Sequence, residues 1–266
     1  MAQALLLPLI DDGVIDSAGV RAAVASDNSA RQLAEAHGLA VSTDPSAAWG
    51  CSTVLLAVKP QQLETAALAA SRAGAFPGEP AVAGLPHLEP PLLLSVLAGV
   101  RLERLEALFP GWVCVRAVPN TPCLVRSGLT GLAWGHGVDP QRREWVRGLF
   151  ARVGEVVELP EGQLDAFLAL TSSGPAFVAL VAEALADGAV AAGLPRGQAQ
   201  HLAHRTLAGT AAMLHLRELH PGQLKDMVSS PGGTTIAGLR ELERAGLRSA
   251  LIEAVLAAAA RSRELA

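Results

Sequence analysis

Strand signals stop at one point in this chain, and that boundary constrains the fold more than any other feature. Before residue 160 short apolar runs alternate with helical patterns; beyond it only helical patterns occur, at residues 161–169, 176–192, 196–217 and 235–263. Alternating strand and helix is the mark of a parallel sheet wrapped on both faces, whereas a run of helices must pack on itself or on a partner. The sequence therefore predicts an α/β fold with two domains, a Rossmann-like doubly wound sheet over residues 1–159 and an all-helical domain over residues 160–266. The helix at 176–192 is apolar nearly all round, interrupted by Glu183 and Asp187, and a domain of this size cannot cover it alone. A homodimer or larger homo-oligomer is expected.

The sheet domain follows in chain order. Residues 1–7 read as a helix ended by Asp11-Asp12-Gly13, and residues 21–25 as a short strand. Ser26-Asp27-Asn28-Ser29 then caps a helix carrying Leu33, Ala34 and Ala36 and stopping at Gly38. Further strands are expected at 39–41, 53–58, 92–97, 112–118, 129–134 and 155–159, helices at 102–108 and 141–152, and a Pro-rich surface connection at 76–91. Ligands of such sheets bind at the carboxyl ends of the strands. Ser26, Asn28 and Arg31 there suit the 2′-phosphate of NADPH, while the carboxylate of Asp27 keeps NADH as the second candidate. Lys59 stands at another strand end, and the small residues Ala98 and Gly99 leave room for a flat ring against the backbone.

Within the helical domain a single segment stands out: Ser229-Ser230-Pro231-Gly232-Gly233-Thr234-Thr235. The glycines permit close backbone approach, and the threonines open a helix whose first N–H groups and positive end face the loop. That arrangement suits a small carboxylate or phosphate, although a plain glycine turn with a helix cap has the same pattern.

Composition narrows the partners. A net charge of −4 offers no general attraction to nucleic acid or an anionic membrane, so small molecules are favoured. Three cysteines, Cys51, Cys114 and Cys123, lack disulfide or zinc spacing and fit a reducing cytoplasm. Residues 166–182 are uncharged but include Ser172, Ser173, Gly174 and Pro175, and read as a buried helix rather than a membrane span. The histidines form no metal set; His201 and His204, spaced by three, read as a solvated helix face.

Ser229 to Leu239, with Glu241-Leu242-Glu243 and the run from Leu247 to Val255, resembles the C-terminal signature of pyrroline-5-carboxylate reductases. Leu55-Leu56-Ala57-Val58-Lys59-Pro60-Gln61, Arg116-Ala117-Val118-Pro119-Asn120-Thr121-Pro122 and Ser173-Gly174-Pro175-Ala176-Phe177 join it in the family's order. The resemblance implies reduction of the cyclic imine 1-pyrroline-5-carboxylate to L-proline with hydride from NADPH. It adds Val58, Lys59, Pro60, Asn120 and Thr121 to the cofactor contacts. It also implies that N–H groups of Gly232, Gly233 and Thr234 hold the substrate carboxylate, that the Thr235 hydroxyl meets the ring nitrogen, and that Ser229 and Ser230 shape the pocket. Glu218 stands where the family brings a glutamate to the site from the partner subunit.

No first strand and glycine-rich turn are found before Met1, so the chain is expected to start just after them, with the sheet's first strand missing. Two other readings stay open on the residues: a catalytically silent helical assembly module with an incomplete cofactor domain, and a different imine or hydroxyacid reductase.

Overall fold

The computed structural model describes residues 1–76 and 89–264, so most of the Pro-rich connection expected at 76–91 lies outside the described residues. The elements up to residue 159 are α1 (Ala2–Asp11), β1 (Arg21–Ala23), α2 (Asp27–His37), β2 (Ala40–Ser42), α3 (Ser46–Trp49), β3 (Thr53–Leu56), α4 (Leu63–Arg72), β4 (Leu92–Ser95), α5 (Leu102–Leu108), β5 (Val113–Pro119), β6 (Gly128–Trp134), α6 (Pro140–Ala151) and β7 (Gly154–Glu158). The helices α7 (Leu164–Thr171), α8 (Gly174–Ala191), α9 (Arg196–Leu216), α10 (Pro221–Met227), α11 (Thr234–Arg244) and α12 (Leu247–Glu264) follow. They form two compact units, one of Met1–Ser172 with the end of α12 from Ala259 onward, the other of Ser173–Ala258.

Local chemistry sets many of these boundaries. The Ser26 hydroxyl accepts from the Ser29 N–H at 3.3 Å at the start of α2, and Gly38, in the left-handed region at φ 65°, ends it. Asp139 caps α6 through the Arg142 N–H at 2.9 Å, with Pro140 in the first turn, where its missing N–H costs nothing. The helix expected over 235–263 is two helices. Gly246 adopts φ 74° between α11 and α12, a conformation that only glycine takes without strain, so the chain turns there. No expectation marked α3, α4 or α10.

The strands form two sheets. β3-β4-β5-β6-β7 is five-stranded, parallel except where β6 runs against β5, and β1-β2 is a separate parallel pair. The reversal at β6 has a simple cause: residues 120–127 connect it to β5, fewer than the dozen or so that a parallel crossover needs. Among the described residues β1 pairs only with β2, and β3 only with β4 on the other side of the break.

Side chains alternate between two cores. Leu92, Leu94, Val113, Val115 and Ala117 pack with Ala4, Leu5 and Leu9 of α1 and Val146, Leu149 and Phe150 of α6. Leu93, Cys114 and Val118 pack on the opposite face with Trp49, Leu63, Ala70, Leu105 and Phe109. Helices on both faces make the sheet doubly wound, as the alternation of strand and helix implies. α7 sits close on β6 because Gly131 has no side chain; a Cβ there would come within 2.8 Å of Phe167.

The uncharged run at 166–182 is divided by Ser172 and Ser173 between α7 and α8. α7 is well packed, with Leu164, Asp165, Ala169 and Thr171 buried. In α8 only Ala182 and Ala186 are covered in the single chain, while Val178 and Leu180 are 55% and 66% exposed, the exposure expected of an apolar helix that this domain cannot cover alone.

Candidate active site

The candidate residues fall into three groups. In the five-stranded sheet the ends of β3, β4 and β5 lie side by side, with Leu56 opposite Ser95 and Ser95 opposite Arg116. The segments leaving these ends carry Val58, Lys59 and Pro60, then Ala98 and Gly99, then Asn120 and Thr121, so the fold gathers them along one edge. Val58, Lys59, Ala98 and Thr121 are exposed, and Gly99 turns the chain at φ 76°. Pro60 opens a short 3-10 turn held by the Lys59 N–H donating to the Gln62 side chain at 3.3 Å.

Asn120 is different in kind. It is 5% exposed, its Nδ2 donates to the Thr171 carbonyl at 2.9 Å, and its Oδ1 accepts from the Leu129 N–H at 2.8 Å. Both ends of the amide are engaged with backbone, so the side chain clamps the turn after β5 between α7 and β6. Ser172 adds a long bond from its hydroxyl to the Pro119 carbonyl, 3.5 Å.

The second group stands at the end of β1. Ser26 is spent on capping α2, and Asn28 and Arg31 are exposed on its first turns, their side chains without a hydrogen bond among the described residues. The carboxylate of Asp27 accepts from the Thr43 hydroxyl at 3.2 Å. β1 does not pair with β3, so hydrogen bonding does not join this group to the first.

The third group lies in the other unit. The Ser229 hydroxyl donates back to the Lys225 carbonyl at 2.7 Å, and the Gly233 N–H closes a turn on the Ser230 carbonyl at 3.0 Å. Gly232 holds φ 68°, and a Cβ on Gly233 would overlap the Ser230 hydroxyl, so both glycines are needed for this path. α11 then starts at Thr234 with no side-chain cap, and its first backbone bond runs from Ala237 to Gly233. The N–H groups of Thr234, Thr235 and Ile236 are thereby left open at a positive helix end, where an anion is stabilised. Glu218 lies one helix earlier, in the turn between α9 and α10, at φ 51°.

Sequence reasoning passed over one cluster. Arg116 on β5 is 2% exposed, donates from Nη1 to Glu161 Oε1 at 3.2 Å and sits 3.6 Å from Asp165 Oδ1. The signal was present: a charge inside the apolar run 112–118 must find partners when buried. Sequence alone does not name them.

The family model for pyrroline-5-carboxylate reductase dimerisation matches residues 161–265. A pyrroline-5-carboxylate reductase of Synechocystis sp. is 45% identical over the whole of this chain and 94% of its own length. The chain belongs to the pyrroline-5-carboxylate reductase family. The Arabidopsis thaliana pyrroline-5-carboxylate reductase, 37% identical, aligns over the whole chain and 92% of its own length. Two pyrroline-5-carboxylate reductase structures share the fold. That from Coxiella burnetii has a TM-score of 0.83 at 30% identity, covering 100% of this chain and 94% of its own. That from Plasmodium falciparum, solved with NADP bound, has a TM-score of 0.84 at 26% identity, covering 99% and 93%.

Proposed function

We propose that this protein is a pyrroline-5-carboxylate reductase that converts 1-pyrroline-5-carboxylate to L-proline, the last step of proline biosynthesis, as a homodimer or larger homo-oligomer in the cytoplasm. The observation that carries the reading is the uncapped start of α11 behind the Ser229–Gly233 turn, in a chain aligned end to end with reductases of that name. Such a helix end binds a small anion, and a carboxylate is one of those it suits.

NADPH, or NADH in its place, supplies the hydride when bound. The protein's part is to hold the imine carbon and a protonated ring nitrogen in line, and positioning of this kind can lower the barrier by roughly 7–11 kcal/mol. The substrate carboxylate is assigned to the N–H groups of Gly232 and Thr234, with Gly233 supplying the approach because its own N–H already serves the turn. The Thr235 hydroxyl bonds the ring nitrogen and can pass it a proton through water. Ser229 and Ser230 set the loop's shape, and Glu218 of the partner subunit completes the pocket. Val58, Lys59, Pro60, Ala98, Gly99 and Thr121 form the cofactor edge, with Asn120 holding the turn that carries Thr121, and Asn28 and Arg31 serve the adenosine end, where Ser26 caps α2.

We keep the functional division at 159/160, a reading supported by the start of the matched dimerisation family at residue 161. Exposed apolar residues on α8, α11 and α12 of the single chain, among them Leu180, Ile236, Ile252 and Leu256, favour burial against a second copy.

The test is to mix the purified protein with NADPH and 1-pyrroline-5-carboxylate and follow cofactor oxidation. Substrate-dependent oxidation that falls sharply in Thr235→Ala supports the assignment. A folded oligomer that neither binds NADPH nor oxidises it would return the reading to a silent assembly module.

A further inference from the structure

The geometry points to Arg116 and Glu161 as positioning residues that hold the Ala98–Gly99 and Pro119–Pro122 turns in register for the nicotinamide end of the cofactor. This rests on the reductase reading above, and it extends that reading to residues that touch neither cofactor nor substrate.

Glu161 Oε1 accepts twice, from Arg116 Nη1 at 3.2 Å and from the Leu102 backbone N–H at 2.7 Å. Leu102 opens α5, whose N-cap residue Arg101 gives no side-chain cap, so the distant carboxylate does that work instead. Leu102 follows closely on Gly99, and Arg116 shortly precedes Asn120. One carboxylate oxygen therefore fixes the spacing of two turns that leave neighbouring strands.

A second carboxylate extends the frame. Asp165 Oδ1 lies 3.6 Å from Arg116 Nη2 and accepts from the Ser262 hydroxyl at 2.7 Å, with both residues buried. Asp165 is in the first turn of α7, and the last residues of that helix hold Asn120 and Pro119 through Thr171 and Ser172. The network thus grips the turn after β5 from both ends of α7.

Stability does not account for this arrangement. A buried ion pair recovers little of its desolvation cost, and apolar side chains of equal volume commonly hold a fold as well or better. Here Arg116 Nε and Nη2 have no hydrogen-bond partner among the described residues, so the charge is retained at less than full satisfaction. What it does provide is direction and distance between elements, which apolar packing sets less sharply.

The experiment compares wild type, Glu161→Ala, Glu161→Gln and Arg116→Lys in melting temperature, NADPH dissociation constant by fluorescence titration, and KM and kcat. Glu161→Ala is expected to weaken NADPH binding and lower kcat/KM for NADPH by roughly 10–100-fold, the scale of a small misplacement of reacting groups. Glu161→Gln, which keeps an acceptor for the Leu102 N–H, should recover most of that loss, and Arg116→Lys should weaken NADPH in the same direction as Glu161→Ala. A lower melting temperature in these variants with unchanged NADPH affinity and unchanged kcat/KM per folded protein would overturn the inference. Should Glu161→Ala not fold, Arg116→Lys decides by the same measurements. A wild-type protein that neither binds nor oxidises NADPH would instead overturn the reductase reading, and this inference with it.

Discussion

The Thr43 hydroxyl donates to the Asp27 carboxylate at 3.2 Å, joining the first turn of α2 to the segment after β2. Asp27 is the one acidic side chain in the turn assigned to the adenosine end, and it opposes a 2′-phosphate in proportion to its proximity. Asp27→Asn should shift preference towards NADPH over NADH by about fivefold, the equivalent of about 1 kcal/mol for one charge screened by water. Thr43→Ala, which releases the carboxylate, should shift preference the opposite way. Competitive titration with the two cofactors checks both signs, and equal shifts in both variants would refute the argument.

Asn120 joins two backbone groups from inside the protein. Asn120→Ala leaves the Leu129 N–H and the Thr171 carbonyl without their partner, and should cost about 1–3 kcal/mol in denaturant unfolding. Asn120→Asp removes only the donor and places a charge in the same buried site, so it should be at least as harmful. If either variant unfolds at the wild-type midpoint, the clamp carries no stability.

Gly246 holds φ 74°, and a methyl group added at its Cα would meet open space, so strain there is purely conformational. Gly246→Ala should destabilise by roughly 1–2 kcal/mol, the cost of a left-handed alanine. Thermal melting at fixed protein concentration measures it; an unchanged midpoint would mean that α11 and α12 relax into one helix.

Cys114 and Cys123 are fully buried, and burial is the leading cause of a raised thiol pKa in each. For Cys114 the shift runs from 9.0 to about 12, with the nearby Glu106 carboxylate as the second cause. An unfolded chain releases this proton near 9 and the folded one holds it to about 12, so the stabilising contribution is complete below pH 9 and lost as pH rises through about 12. Alkaline unfolding should therefore weaken in Cys114→Ala once its cavity cost at neutral pH is subtracted. In a native thiol titration at neutral pH, Cys51, which is only half-buried, should react while Cys114 and Cys123 stay silent until the protein is denatured.

Much of this architecture was legible residue by residue. Ser26 and Gly38 bound α2 because a hydroxyl acceptor and a left-handed glycine act on their immediate neighbours, and such effects need no fold. The alternation of strand and helix before residue 160 required cover on both faces of the sheet, and the structure supplies it from α1 and α6 on one side and from α4 and α5 on the other. The Ser-Ser-Pro-Gly-Gly-Thr-Thr segment announced a turn followed by an open helix end, and that is how it is built, although the N–H of Gly233 is used inside the turn.

Near neighbours and periodicity were enough to set the elements with their own caps, the order of sheet domain before helical domain, and the glycine turn before α11. Contacts between residues far apart in the chain came only with folding. Arg116 finds Glu161 and Asp165, Asn120 finds Thr171, and Thr43 finds Asp27, each across separations that no local pattern encodes. A buried polar group must be satisfied, and that demand is visible in one residue; the partner that satisfies it is chosen only when the chain closes around it.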